Sequence, residues 1–128
     1  MRVLLDTHAF LWWLDGDRRL SRRARQVIER GESEVFVSAA TAWEITTKTR
    51  LGKLPRAVDV AADVAGAAQA QGFSLLDIST LHAQRAGWLG GPLRDPWDLM
   101  LIGQAQAEGL PLVSNEAAFD AYGISRVW

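Results

Sequence analysis

Arg2-Val-Leu-Leu-Asp6 decides the fold. The run is apolar without alternation, too short for a helix and closed by an acid, the pattern of a strand buried on both faces. Thr7 is placed to cap a short helix carrying Phe10, Leu11 and Leu14, which the turn residues Asp15-Gly16-Asp17 stop. Ser21 caps a second helix with the apolar stripe Leu20, Ala24, Val27 and Ile28, ending at Gly31. Glu34-Val-Phe-Val-Ser38 repeats the buried-strand pattern with β-branched and aromatic residues, and a helix from about Ala40 to Leu51 follows, closed by Gly52.

Beyond Pro55 the alanine-rich stretch from Val58 to Gln71 reads as one long helix capped by Gly72, and Phe73 to Ile78 as a third strand. Ser79 caps a helix to about Gly87, and Leu89 to Arg94 is a loop. Pro96 suits a first helical position, opening a helix to Gly109 with Leu99, Ile102 and Ala105 or Gln106 along it. Leu110 to Val113 reads as strand four, Asn115 to Tyr122 as a short helix and Ile124 to Val127 as a last edge strand. Short apolar strands alternating with long amphipathic helices imply parallel pairing, because parallel neighbours need crossovers and the crossovers cover both faces. The expected fold class is therefore α/β: a three-layer α/β/α sandwich with a central, mainly parallel sheet of four to five short strands.

Composition narrows the function. The 128 residues are 48% hydrophobic and 23% charged, which excludes disorder and fits a single domain spanning 1–128. No apolar run approaches the ~20 residues that cross a bilayer, and Asp6 interrupts the N-terminus before a signal peptide can form, so a cytoplasmic location is expected. The absence of cysteine rules out disulfides, a thiolate nucleophile and Cys-ligated zinc or iron, leaving carboxylates and two histidines as strong metal ligands. With 14 basic and 15 acidic residues the chain has no overall positive field, although six arginines fall between Arg18 and Arg30.

In a parallel sheet the strand C-termini and the following helix N-termini share one edge, where ligands bind. That edge receives Asp6 from the end of strand one, Glu44 from the helix after strand two, Asp95 and Asp98 from the helix before strand four, and Glu116 from just beyond strand four. Two like charges 4 Å apart repel by about 4 kcal/mol at an effective dielectric of 20, so such a cluster calls for a counter-charge. A divalent cation answers it. Mg²⁺ and Mn²⁺ prefer hard oxygen ligands, polarise phosphoryl oxygens and acidify water, the chemistry of phosphodiester hydrolysis. The plainer reading of each acid is a separate helix cap, and Asp95 before Pro96 is an ordinary one. It accounts least well for Asp6, which ends a buried strand, and for Glu44, flanked by Trp43 and Ile45 on a half-buried helix.

These residues resemble a family, the PIN-domain ribonucleases, and within it the VapC-like toxins of toxin-antitoxin pairs. The likeness runs from Leu4-Leu-Asp-Thr-His8 through Ser38-Ala-Ala-Thr-Ala-Trp-Glu-Ile45 and Asp95-Pro-Trp-Asp98 to Leu110-Pro-Leu-Val-Ser114, Tyr122-Gly and Val127-Trp128, and their order and spacing carry it. The resemblance implies a metal-dependent endoribonuclease, usually dimeric, inhibited by a small antitoxin encoded beside it. It matches Asp6, Glu44 and Asp98 to the acids that organise Mg²⁺ or Mn²⁺, with Asp95 an added acid. The fourth acidic position, usually Thr-x-Asp, here reads Ser114-Asn115-Glu116. Leu99 replaces a common Arg, and the loop before Arg94 lacks a frequent His.

Other residues admit simpler roles. His8 is placed to meet a phosphate or to sit as a solvated first-turn residue, His82 reads as structural, and most of the six tryptophans read as core or partner contacts, with Trp97 alone near substrate. The Arg18 to Arg30 patch fits either an RNA backbone or a solvated helix face. A receiver-like phosphoacceptor domain would need a lysine after a late strand, whereas the last lysine is Lys53. A phosphatase of small substrates and a catalytically impaired PIN-like domain serving as a protein- or RNA-binding module are the remaining alternatives. The intact Asp6, Glu44 and Asp98 favour the nuclease.

Overall fold

In the computed structural model, which describes residues Met1–Trp128, β1 (Arg2–Leu5), β2 (Glu34–Ser38), β3 (Ser74–Leu76), β4 (Leu112–Val113) and β5 (Arg126–Val127) form one sheet in the order β3-β2-β1-β4-β5. Every neighbouring pair is parallel, with Leu4 opposite Phe36 on one side and Leu112 on the other. The connections are α1 (Thr7–Asp15) and α2 (Arg22–Glu29); α3 (Ala39–Arg50), α4 (Val58–Ala62) and α5 (Val64–Ala70); and α6 (Thr80–Trp88) and α7 (Pro96–Glu108). Single 3₁₀ segments cover Pro55–Ala57 and Ala117–Tyr122. The expected α/β sandwich on a parallel sheet is the fold observed. No helix is long and apolar enough to cross a membrane.

Because side chains alternate along a strand, the sheet feeds two cores. Val3, Leu5, Val35, Val37 and Val113 pack with Phe10, Ala24, Ile28 and Ala68 of α1, α2 and α5. Leu4, Phe36 and Leu112 pack with Leu101, Ile102 and Ala105 of α7 and with Phe119. A buried polar bridge crosses the second side, where the Ser38 hydroxyl donates to Gln104 Oε1 at 2.5 Å and Gln104 lies 3.4 Å from His82 Nδ1. His82 is structural: its Nδ1 accepts from the Ser79 amide while the Ser79 hydroxyl accepts from the His82 amide, closing a capping box at α6.

Local chemistry shifts several expected boundaries. The cap of α1 is Asp6 and not Thr7: the Asp6 carboxylate accepts from the Ala9 amide at 2.7 Å, and Thr7 is the first helical residue with its hydroxyl committed elsewhere. The stretch from Val58 to Gln71 is two helices, not one. Asp63 leaves the helical conformation and its side chain accepts from the Gly66 amide at 2.9 Å, a local bond that competes with the helix interior. Gly66 makes room for this, since a Cβ there would meet the Asp63 carboxylate at 2.2 Å. Strand three shrinks to Ser74–Leu76 because only β2 pairs with it, and the helix after β4 is 3₁₀, capped by Glu116. α2 ends at Glu29, because Arg30 is already extended, before Gly31 is reached.

Candidate active site

The chain moves outward from β1 to β2 and β3, then returns to the other side of β1 for β4 and β5. The strand order therefore reverses between β1 and β4, and a crevice opens at their C-terminal ends. The cleft there has room for about 140 Å³ of solvent and is lined by Asp6, Thr7, His8, Glu44, Lys48, Asp95, Asp98, Asn115, Glu116 and Phe119. All five acids expected at this edge line it.

Each acid is held by a different device. Asp6 is 7% exposed, and burial raises its pKa against the opposing help of the Ser114 hydroxyl, the Ala9 amide and nearby His8; Glu44 raises it further. Glu44, 6% exposed on α3, has both oxygens engaged: Oε1 accepts from the Thr7 hydroxyl at 2.6 Å and Oε2 meets Lys48 Nζ at 2.5 Å. The Thr7 hydroxyl also lies 3.2 Å from that of Thr41. Asp95 Oδ1 accepts from the amides of Trp97 and Asp98 at 2.8 and 3.1 Å, fixing the first turn of α7. That places Asp98 in the cleft, where burial first, then Asp95, Glu44 and Asp6, push its pKa up to about 7, with Lys48 opposing. Glu116 uses Oε1 to accept from the Ala118 amide at 3.0 Å, so it caps the 3₁₀ turn while lining the cleft.

Two indoles meet beside the cleft without lining it. Trp97 is half-buried, meeting Trp43 edge-on with ring centroids 5.3 Å apart and Lys48 over its ring at 5.5 Å. Trp43 is the exposed member of the pair, 55% accessible. His8 stacks on Trp12 at 5.5 Å and joins the cleft to a neighbouring groove of about 210 Å³ lined by Leu11, Trp12, Leu54, Pro55, Val60 and the cations Arg19, Lys53 and Arg56. The arginine patch is partly neutralised, with Arg19 on Asp17 and Arg30 on Glu32, while Arg25 donates to the Asp17 backbone carbonyl.

Thr7, Lys48, Asn115 and Phe119 also line the cleft, although the sequence does not mark them as site residues. The Glu44–Lys48 spacing of one helical turn was the available signal for Lys48, whereas nothing local reports that Thr7 meets a carboxylate 37 residues away. The donor set is oxygen-only and its excess negative charge is visible in Asp98, which fits a hard divalent cation. As the side chains stand, no three acidic or imidazole groups converge tightly enough to close round one ion.

Comparison with known proteins agrees with this architecture. The PIN domain family model matches residues 3–124, and the chain belongs to that family. Among solved structures, a chain of VapBC2 from Rickettsia felis bound to a promoter DNA fragment superposes with a TM-score of 0.71 at 16% identity, covering all of both chains. A chain of DNA-bound VapBC from Salmonella typhimurium gives 0.70 at 22% identity, over 98% of this chain and 96% of that one. VapC20 from Mycobacterium tuberculosis, described as a toxin that cleaves the sarcin-ricin loop, gives 0.68 at 16% identity over 95% of each chain. These likenesses establish the shared fold. No curated protein matches the chain significantly.

Proposed function

We propose that this protein is a divalent-metal-dependent endoribonuclease, the toxin of a toxin-antitoxin pair, acting on RNA phosphodiesters as a homodimer of single-domain chains and silenced by a small co-encoded antitoxin. The observation that supports it is the cleft at the β1/β4 switch, where separate segments deliver five carboxylates. An RNA phosphate cannot approach that charge without a cation to offset it. Asp6, Glu44, Asp98 and Glu116 are the residues that would hold Mg²⁺ or Mn²⁺, and Asp95 holds the first turn of α7 so that Asp98 faces them. When bound, such an ion supplies Lewis-acid polarisation of the phosphoryl oxygen and acidifies water. The protein's own part is positional. Thr7 fixes the rotamer of Glu44, Asp95 that of the α7 start, and His8 stands at the mouth beside Asp6, where a phosphate would pass.

The groove beyond His8 supports the partner reading, because an apolar floor beside an acidic cleft suits an amphipathic helix that carries a basic residue at its end. An arginine there would pair with the clustered carboxylates and take the metal's place. Expression of the chain alone is expected to arrest growth, the Asp98→Asn variant to be harmless, and coexpression with the adjacent small reading frame to restore growth with both proteins co-eluting. Persistent arrest with separate elution removes the antitoxin; harmless expression of soluble wild-type protein removes the toxin.

A further inference from the structure

α3 presents Glu44 and Lys48 one turn apart, as many surface helices present an acid and a base. This pair is not a surface pair. The Glu44 side chain is 8% exposed and the Lys48 side chain 28%, and Nζ lies 2.5 Å from Oε2 while the Thr7 hydroxyl occupies Oε1. Lys48 is also the one lysine or arginine lining the acidic cleft. Its ammonium therefore stands inside the acidic cleft, on a carboxylate whose other oxygen already accepts a hydrogen bond. A second seat lies close by. The same ammonium is 5.5 Å over the ring of Trp97, whose negative face attracts cations, and Trp97 sits in the first turn of α7 next to Asp98.

We propose that Lys48 is the built-in counter-charge of this cleft and the competitor of the divalent cation for Glu44: an entering ion displaces the ammonium from Oε2 toward the face of Trp97. The inference rests on the metal-dependent reading above. Two cations held on one carboxylate oxygen repel, which drives the more weakly held ammonium away. Lysine is suited to leaving, as a compact charge on a flexible four-carbon stem, whereas an arginine would hold the carboxylate with a planar fork. The device keeps Glu44 paired in a fold that would otherwise bury an uncompensated charge. It also lowers the affinity of the cleft for metal.

Calorimetric titration of Mn²⁺ into wild-type, Lys48→Met, Lys48→Gln and Lys48→Arg proteins tests this, with thermal melts in EDTA and in Mn²⁺ alongside. Lys48→Met is expected to bind Mn²⁺ about tenfold or more tightly than wild type, to melt lower in EDTA and to gain more from added Mn²⁺. Lys48→Gln, which keeps a hydrogen-bond donor for Glu44 without the charge, shows the same tightening even if Lys48→Met folds poorly. Lys48→Arg, which keeps the charge, stays at or below wild-type affinity. Unchanged or weaker Mn²⁺ binding in both neutral variants, with the wild type binding normally, overturns the competitor role and leaves the metal-dependent reading standing. Absence of Mn²⁺ binding in wild type and variants alike overturns both.

Discussion

Asp6 performs two tasks with one carboxylate, capping α1 through the Ala9 amide and lining the acidic cleft. Asn also caps helices, and Ala does not. Asp6→Asn and Asp6→Ala both remove the buried charge, so chemical denaturation should find the Ala variant less stable by about 1 kcal/mol, the worth of the cap. Equal stabilities would mean that the Ala9 contact contributes nothing. Asp98 makes a pH prediction. Its folded pKa of about 7 lies above the ordinary carboxylate value of 3.8, so between those values the folded protein binds more proton than the unfolded chain and stability falls as pH rises. Melting temperature in EDTA should therefore decline from pH 4 toward 7 through this group, and Asp98→Asn should flatten that decline and melt higher at pH 7. A variant with the wild-type slope would show that Asp98 does not carry the strain. These acids were legible in the sequence because strand ends and helix starts of a parallel sheet must share an edge. Thr7 was not, because its partner Glu44 comes from a helix beyond β2.

Elements bracketed by strong local signals were the readable ones. α7 has Asp95 as cap, Pro96 at its first position and Gly109 in the left-handed conformation at its end, φ 63°, and its sequence boundaries match the structure. The α4–α5 break was hidden because alanine-rich flanks argue for continuity while the interruption depends on one Asp63 side chain finding the Gly66 amide. Gln104 was hidden too, since a glutamine inside an apolar stripe declares itself only when Ser38 and His82 close around it. α7 must also lie close to α6 to hold Asp98 in place. At Gly103 a Cβ would meet the His82 carbonyl oxygen at 3.0 Å and the Ala86 amide at 3.1 Å, both backbone atoms that cannot rotate away. Gly103→Val should cost about 1–3 kcal/mol through overpacking, read as a lower urea midpoint with an unchanged slope. An unaltered midpoint would mean that the two helices slide apart freely.

At the scale of the molecule, an all-parallel sheet whose strand order reverses at β1 creates one crevice, and the chain directs five acids, one lysine and one histidine into it. Beside it lies a groove with an apolar floor, bordered by three cations and Asp15 and sharing His8 with the cleft. The charge of the cleft, the adjacent groove and membership of the PIN-domain family together support the proposal of an ion-requiring RNA-cutting site beside a surface for an inhibiting helix. Metal-dependent cleavage by these carboxylates is open to direct test. The direct measurement is incubation of purified protein with RNA in Mg²⁺ or Mn²⁺, in EDTA, and with Asp6→Asn, Glu44→Gln and Asp98→Asn proteins shown by melting to be folded. Internal RNA cuts are expected from the wild type only with the added ion, and from none of the three variants. RNA cleavage that survives EDTA, or that the Asp98→Asn protein performs at the wild-type rate, would contradict that expectation.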